Sequence, residues 1–226
     1  MTTGPVEQTD GRSVNGELSW VTDRSNKNIE RGQATREHLI AVATELFAAR
    51  GYEGTSIDAV QQAAGVSRGS LYHHFAGKDA LFEAVLEALE ARVGNEVVVA
   101  AAAAPDPVAR LRAGCLAWVR LAGDPVVQRI LLVDAPSVLG WQRWRAMEEA
   151  HALGLMKAAL QEVADDGRLP PDLVNMFAHT LLASIDEVAL VVARSDDPEA
   201  AMKEGAYAVD ALLQRLLGWP PRRERR

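Results

Sequence analysis

The chain of 226 residues is 48% hydrophobic but only 5% aromatic, and its formal net charge is −7. This length and apolar content indicate a globular chain with one large core or two modest ones. Alanine is abundant and β-branched runs between turn signals are few, so we predict an all-α fold.

The compartment is indicated by what the sequence lacks. The longest uninterrupted apolar run, residues 97–104, falls far short of the ~20 residues that a membrane span requires. The N-terminal residues have neither the basic nor the apolar region of a secretory signal. The single cysteine, Cys115, suits a reducing environment. We therefore expect a cytoplasmic protein that does not enter a membrane.

Residues 1–30 are polar and lack apolar periodicity, which predicts a disordered N-terminal arm. Four basic side chains lie close together at its end: Arg24, Lys27, Arg31 and Arg36. Residues 24–79 carry seven basic and six acidic side chains, whereas residues 80–221 carry twelve and twenty, so the negative charge is concentrated towards the C-terminus. The basic arm is either a segment that lies along phosphates or a solvated leader with ordinary surface charge.

The first predicted domain covers residues 31–78, with order beginning near Gln33. Residues 34–50 carry apolar side chains at helical spacing, and Gly51 follows at the position of a left-handed helix cap. These features predict the first helix.

Two short helices follow. Thr55 is expected to open the first of them, with Asp58 three residues later in a capping-box pattern, and Gly65 to end it. The next helix begins directly after Ser67, which is placed to cap its free amides. Two short helices joined by a tight turn form a helix-turn-helix pattern.

The second of these helices is predicted to display polar and aromatic groups, because Leu71 and Phe75 are spaced to face the core. A helix-turn-helix places this helix in the major groove of DNA, with residues near its N-terminus on base edges and flanking groups on phosphates. Arg68 and Ser70 suit base edges, and phenol, imidazole, ammonium and hydroxyl groups suit phosphate. The predicted DNA-contact set is Thr55, Ser56, Ser67, Arg68, Gly69, Ser70, Tyr72, His73, His74 and Lys78.

The adjacent histidines admit other interpretations. Neighbouring residues of a helix point about 100° apart, so His73 and His74 are poorly placed to chelate one metal ion. Ser70 and Asp79 offer no recognisable catalytic arrangement with them. His74 has a further alternative, which is packing beside Phe75 or against the first helix. We predict neither a metal nor a cofactor.

Residues 34–86 resemble the DNA-binding domain of the TetR family of bacterial regulators. The resemblance is carried by the order and spacing of FAARGYEGTS, IDAVQQAAGVS and RGSLYHHFAGKDAL. It implies a homodimer on a near-palindromic operator, and a C-terminal helical domain that binds a small molecule and then releases double-stranded DNA. Gly77 departs from the family pattern, in which a serine or similar cap is more frequent, so the next helix should be less firmly capped.

The C-terminal part is expected to be a helical effector-binding and dimerisation domain over residues 79–219, followed by a basic tail, 220–226. Proline and glycine signals predict breaks at residues 124–125, 135–136, 167–171 and 196–198. The helices expected between these breaks cover approximately residues 79–93, 107–122, 125–134, 137–165, 170–194 and 198–217. The helix at 79–93 joins the two domains.

Two indoles, a carboxylate and an imidazole are predicted to share one stripe of the helix at 137–165, which suits the wall of a ligand pocket. The candidate effector-binding residues are Trp118, Trp141, Trp144, Met147, Glu148, His151, Met156 and Phe177. Ordinary core packing is the alternative for each of them. His179 and the pair Asp186 and Glu187 are further candidates, with buried polar groups at a subunit contact as their alternative.

The last two helices carry long apolar stripes, and the resemblance implies that they form half of a four-helix bundle between two subunits. The sequence therefore favours a ligand-responsive transcriptional regulator, acting as a repressor and not as an enzyme. The alternative is a helical enzyme of small-molecule metabolism in which Glu148 and His151 are the acid and base groups.

Overall fold

The computed structural model describes residues 15–217, with side chains from residue 29 onwards. The described residues form helices joined by turns, with no strand among them, so the all-α prediction is confirmed. The first helix, α1, spans Asn15–Arg50. It begins well before Gln33 and takes in residues 15–30 of the predicted arm, because each residue added to a helix that packing has already nucleated gains a backbone hydrogen bond. Residues 1–14 and 218–226 lie outside the described residues, and with them the start of the predicted arm and the predicted basic tail at 220–226.

The helix-turn-helix comprises α2, Ile57–Ala64, and α3, Arg68–His74. Gly65 ends α2 with a left-handed φ of 64°, and Ser67 caps α3, both as predicted. The cap of α2 is Ser56, whose side chain accepts a hydrogen bond from the amide of Ala59. The prediction that Thr55 opens this helix is therefore wrong by one residue.

Helix α4, Lys78–Ala102, packs against α1 on one side and against α5, Pro107–Leu121, on the other. It therefore joins the two parts of the chain, as expected. Its N-cap, Gly77, provides no side-chain hydrogen bond, which agrees with the weaker cap inferred from the sequence. Asp106 caps α5 by accepting from the amide of Ala109.

The chain does not break at Ala135 and Pro136 as predicted. A short α6, Pro125–Val127, leads into a π-helix, Gln128–Asp134, which continues as α7, Ala135–Leu139. Pro136 lies in the first turn of α7, where its missing amide is tolerated. The break comes at Gly140, which has a positive φ of 72°.

The single helix expected over residues 137–165 is also wrong, because two further helices lie beyond Gly140. Helix α8 spans Trp141–Ala150 and α9 spans Ala152–Asp165. His151 between them is non-helical, with φ −116° and ψ −92°. This interruption destroys the continuous stripe on which the predicted pocket wall depended.

A 3₁₀ turn, Pro171–Leu173, precedes α10, Val174–Ala193, and α11 spans Pro198–Leu217. The helical segment at 171–193 is long and apolar enough to cross a membrane, by length and composition alone, and its most apolar window has a mean hydropathy of 1.6. The search for uninterrupted apolar runs in the sequence did not find this segment. Leu181, Ile185 and Ala189 of this helix are buried in the C-terminal core. The helix therefore serves as a core helix of the domain.

Two apolar cores organise the described residues. The C-terminal core is built from α5, α9, α10 and α11. The N-terminal core is built from α1 to α4, and it also contains Val127, Ile130, Leu131, Ala135 and Leu139. The segment at 125–139 thus belongs by sequence to the C-terminal part and by packing to the N-terminal core.

Candidate nucleic-acid interface and effector site

Helix α3 presents one face to solvent. Leu71 and the following Phe75 are buried in the N-terminal core, as their spacing predicts. Arg68, Tyr72 and His73 are exposed on the other side. The helix is therefore held by its apolar face and leaves polar and aromatic groups free.

The serines of the helix-turn-helix have a structural role in addition to their exposure. Ser56 Oγ accepts from the amide of Ala59, and Ser67 Oγ accepts from the amide of Ser70, each at 3.1 Å. Each serine satisfies a helix amide that otherwise lacks a partner. Both remain on the surface at the N-terminal ends of their helices, where the positive end of the helix dipole favours a phosphate.

Arg68 and Tyr72 lie together on the exposed side of α3. The Arg68 guanidinium lies 5.5 Å from the centre of the Tyr72 ring, a cation–π contact. These side chains border a shallow open groove between α2 and α3, which is also lined by Ile57, Asp58, Gln61 and Leu71. Gly69 has open space where a side chain would stand, so the backbone of α3 can approach a partner closely there.

The two histidines differ in their surroundings. His73 is exposed, whereas His74 is half-buried and approaches α1 at Gly32. Their rings meet edge to face with centres 5.2 Å apart. No cluster of three or more metal-ligating side chains is present in the part of the chain with described side chains. The packing interpretation therefore gains support for His74, and His73 remains free for contact.

Thr55 is not placed to contact DNA, contrary to the prediction. Its side chain is buried, and its hydroxyl lies 2.9 Å from the carbonyl of Gly51 and 3.1 Å from that of Leu46. By donating to these carbonyls, the Thr55 hydroxyl stabilises the turn between α1 and α2. The mistaken cap position explains the error, because the cap at Ser56 leaves Thr55 inside the turn.

Lys78 stands at the start of α4, beside the aromatic ring of Tyr52. Its ammonium lies 3.9 Å from the ring centre, and the Tyr52 hydroxyl donates to Asp79. Burial and the Asp79 carboxylate raise the pKa of Tyr52, so its hydroxyl keeps its proton. The half-buried Lys78 is thereby held at the edge of the surface that carries α3.

The C-terminal part contains a polar cluster between helices. Trp118 of α5 donates its indole N–H to Asp186 of α10 at 2.8 Å. Arg145 of α8 donates to Glu148 at 2.5 Å and lies 3.1 Å from Nδ1 of His179 on α10. The structure thus brings two of the predicted residues, Trp118 and Glu148, into a cluster with His179 and Asp186.

Glu90 of α4 and Arg145 of α8 are the members of this cluster that sequence reasoning missed. Burial, with the Glu148 and Asp186 carboxylates, raises the pKa of Glu90 from 4.5 to about 7. Burial and Glu148 likewise raise the pKa of Asp186 to about 7, against the effect of the Trp118 hydrogen bond. Burial also raises the pKa of Glu148, although Arg145 opposes it. In the sequence, Glu90 is distinguished only by its place next to Leu89 in an apolar stretch of α4.

The remaining predicted effector residues lie against different parts of the fold. Trp141 is 69% exposed at the start of α8, where its ring packs on that of Trp144. His151 occupies the break between α8 and α9, and its stripe with Trp141 and Glu148 does not exist. Trp144 and Met147 pack against the N-terminal core, whereas Met156 and Phe177 pack against the C-terminal core. The prediction of one helical stripe through Trp141, Glu148 and His151 is therefore wrong, whereas effector contacts of Trp141 and His151 stay predictions.

Comparison with known proteins identifies both parts of the chain. Residues 39–85 match the family model of the bacterial regulatory proteins of the tetR family, and residues 108–216 match that of the tetracyclin repressor-like C-terminal domain. The regulator AcrR of Shigella flexneri is 37% identical over 89 residues, which are 39% of this chain and 41% of AcrR. The match thus spans less than half of that relative. The repressor Rv1474c of Mycobacterium tuberculosis is 29% identical over 74% of this chain and 86% of its own length.

Solved structures extend the likeness to both domains. A TetR-family transcriptional regulator from Pectobacterium atrosepticum is 30% identical, with a TM-score of 0.71, over 83% of this chain and 96% of that protein. AibR, solved with isovaleryl coenzyme A and operator DNA, is 20% identical with a TM-score of 0.56, over 81% of this chain and 98% of AibR, which shows a shared fold.

A capped helix-turn-helix with an exposed second helix, joined by α4 to a larger helical domain, defines a helix-turn-helix DNA-binding protein. The chain belongs to the TetR family of bacterial transcriptional regulators. The enzyme alternative finds no support, since Glu148 pairs with Arg145 and His151 lies in a helix break.

Proposed function

We propose that this regulator binds a near-palindromic operator as a homodimer, represses transcription there, and is released by a small-molecule effector. It acts by binding alone, without catalysis, in the cytoplasm and away from the membrane. The observation that carries the proposal is the exposed face of α3, with its apolar face buried and Arg68, Tyr72 and His73 free.

On DNA, α3 is the recognition helix. Arg68, Gly69 and Ser70 face base edges, because residues at the start of this helix enter the major groove. Phosphate contacts come from Ser56, Ser67, Tyr72, His73 and Lys78. His74 supports the helix from its inner side, and Thr55 is left out because its hydroxyl bonds within the chain.

The homodimer is proposed to form through α10 and α11. Only 33% of the apolar window in residues 171–193 is buried within one chain. Met176 and Val191 of α10 and Tyr207 of α11 are large exposed hydrophobic side chains. A second copy of these helices would cover that surface as a four-helix bundle and would place two copies of α3 on one operator.

The effector is proposed to bind near Trp118, Glu90, Glu148, Asp186 and His179, where α4, α5, α8 and α10 meet. Carboxyls with strongly raised pKa values are more frequent at functional sites than elsewhere. AibR, which shares this fold, was solved with both isovaleryl coenzyme A and operator DNA, and we propose that this chain likewise takes a small-molecule effector. Met156 and Phe177 stay as apolar candidates on the side of the C-terminal core.

The phosphate contacts are tested with the double substitution Tyr72→Ala and Lys78→Ala. The probe is a duplex that the unaltered chain has enriched from a random pool, and the measurement is Kd as a function of salt concentration. Loss of Lys78 from both subunits should weaken binding at least about tenfold and lower the magnitude of the salt slope by about 2. Arg168→Ala, far along the chain and paired with Asp166, is the control. An unchanged slope would contradict the assignment.

A further inference from the structure

A buried carboxylate connects the C-terminal part of the chain to the helix-turn-helix domain. Asp134, the last residue of the π-helix, is 7% exposed. Its Oδ2 accepts from the backbone amide of Tyr52, 82 residues away, at 2.8 Å, and from Nε of Arg129 at 3.2 Å. Hydrogen bonds to a charged acceptor are among the stronger ones in proteins, and more so where water is excluded.

Gly51 completes this contact. It has a φ of 71°, and its amide donates to the carbonyl of Phe47 to end α1. The guanidinium of Arg129 lies so close to Gly51 that any Cβ there would overlap it. The positive φ favours glycine at position 51, and the half-exposed end of the Arg129 side chain would have to move aside for any Cβ there. We call Asp134, Arg129, Gly51 and Tyr52 the interdomain clasp.

Tyr52 carries the contact onward to the DNA-binding surface. The same residue whose amide bonds to Asp134 donates its hydroxyl to Asp79 and lies under the ammonium of Lys78. Its ring also packs edge to face on Phe82, with centres 4.9 Å apart. A shift of Asp134 would therefore move the first turn of α4 together with the lysine proposed to hold phosphate.

The surroundings make the clasp a rigid connection. Val127, Ile130 and Leu131 of the same segment are buried in the N-terminal core. Packed cores move between discrete arrangements and resist continuous deformation. A π-helix is a rare form of helix that is frequent at functional sites. The segment at 125–139 thus contains a π-helix whose last residue, Asp134, bonds to the turn between α1 and α2.

We propose that the interdomain clasp holds the helix-turn-helix in its DNA-binding position, with Asp134 fixing the backbone of Tyr52 and, through Tyr52, the start of α4. The link is additional to α4, the covalent connection between the two parts. It rests on the proposed repressor function, because it names what holds the DNA-binding surface of that function in place. Asp134 is a positioning residue in this account and does not contact DNA.

The test compares Asp134→Ala with the unaltered protein as full chains, on a duplex enriched from a random pool by the unaltered protein. Opening the clasp should raise Kd at least about tenfold, within the usual range of coupling between sites. The salt slope should not change, because opening the clasp lowers the population of the binding-competent state, whereas the complex, once formed, makes the same phosphate contacts. Hydrogen exchange of a peptide covering residues 50–55 should accelerate, since the Tyr52 amide loses its acceptor, while exchange within α3 stays the same.

Asp134→Asn and Glu162→Ala complete the design. Asparagine keeps an acceptor oxygen for the Tyr52 amide and loses only the charge facing Arg129. The Kd of Asp134→Asn should therefore lie between those of the unaltered protein and Asp134→Ala. If Asp134→Ala does not unfold cooperatively, the Kd of Asp134→Asn alone tests the clasp. Glu162 pairs with Arg110 between α5 and α9, away from the clasp, and its loss should leave Kd within about twofold. Unaltered Kd in both Asp134 variants would overturn the clasp and leave the repressor proposal intact. Failure of the unaltered protein to enrich any duplex would overturn the repressor proposal itself, and the clasp with it.

Discussion

At the scale of single residues, the sequence indicates which side chains point outward more reliably than it indicates which polar ones are buried. Arg68, Tyr72 and His73 follow from the spacing of Leu71 and Phe75, since a helix with one buried face exposes the other. Glu90 cannot be found in this way, because only the packing of α4 against distant helices brings it near Glu148 and Asp186. Burial of a carboxyl is a property of the tertiary structure.

Glu90→Gln should remove a pH dependence of stability. A folded pKa of about 7 against an ordinary 4.5 means that the native state retains the Glu90 proton longer than the unfolded chain does. Stability of the unaltered protein therefore falls as pH rises from about 4.5 to about 7. Glutamine is neutral throughout, so the variant should gain on the order of 2 kcal/mol at pH 8 and little at pH 4.5.

Denaturant unfolding at a series of pH values measures this gain. Glu87→Gln, on an exposed position of the same helix, is the control and should show no such trend. A Glu90→Gln variant that is less stable than the unaltered protein at pH 8 would show that the carboxylate is paired and not merely desolvated.

At the scale of elements, capping residues and glycines predict helix ends well, and proline predicts them less well. Gly65 and Ser67 mark the turn between α2 and α3 correctly, because their conformation and hydrogen bonding depend on adjacent residues. Pro136 did not end a helix, because a π-turn before it and its place in the first turn of α7 make its missing amide harmless. The helix end at His151 has no proline or glycine signal next to it in the sequence.

Gly65→Ala and Gly69→Ala should change stability in opposite directions. Neither glycine has a neighbour within 4 Å of an added Cβ, so steric contacts do not contribute. At Gly65, φ is 64°, and alanine should cost about 1 kcal/mol through backbone strain. Gly69 lies within α3, where alanine should add up to about 1 kcal/mol through helix propensity. Chemical denaturation measures the free energy of unfolding of both variants. A change in the same direction in both variants would contradict the geometry of the turn.

At the scale of the whole molecule, the division into two helical parts follows from the sequence, but their contact does not. The segment at 125–139 reads as part of the C-terminal helices, yet its apolar side chains complete the N-terminal core. Asp134 and Tyr52 lie too far apart in sequence for spacing to relate them. Contacts of this kind depend on the arrangement of complete helices.

Val191→Glu should dissociate the proposed homodimer. Val191 is 61% exposed on α10, and a buried glutamate in each copy would place unpaired charge in the bundle. Val99→Glu, 64% exposed on α4 and outside the last two helices, is the matched control. Sedimentation at micromolar concentration should show a monomer for the first variant and a dimer for the second. Dimers of both would exclude this part of α10 from the interface.

The central claim, that α3 of a homodimer reads an operator, is tested most directly by selecting duplex DNA from a random pool with the unaltered chain and sequencing what is enriched. The account predicts an inverted repeat of two half-sites, and selection with Arg68→Ala should relax the preference at corresponding positions of both halves by about 1–3 kcal/mol. Enrichment of no duplex, or of a motif without an inverted repeat, would contradict it.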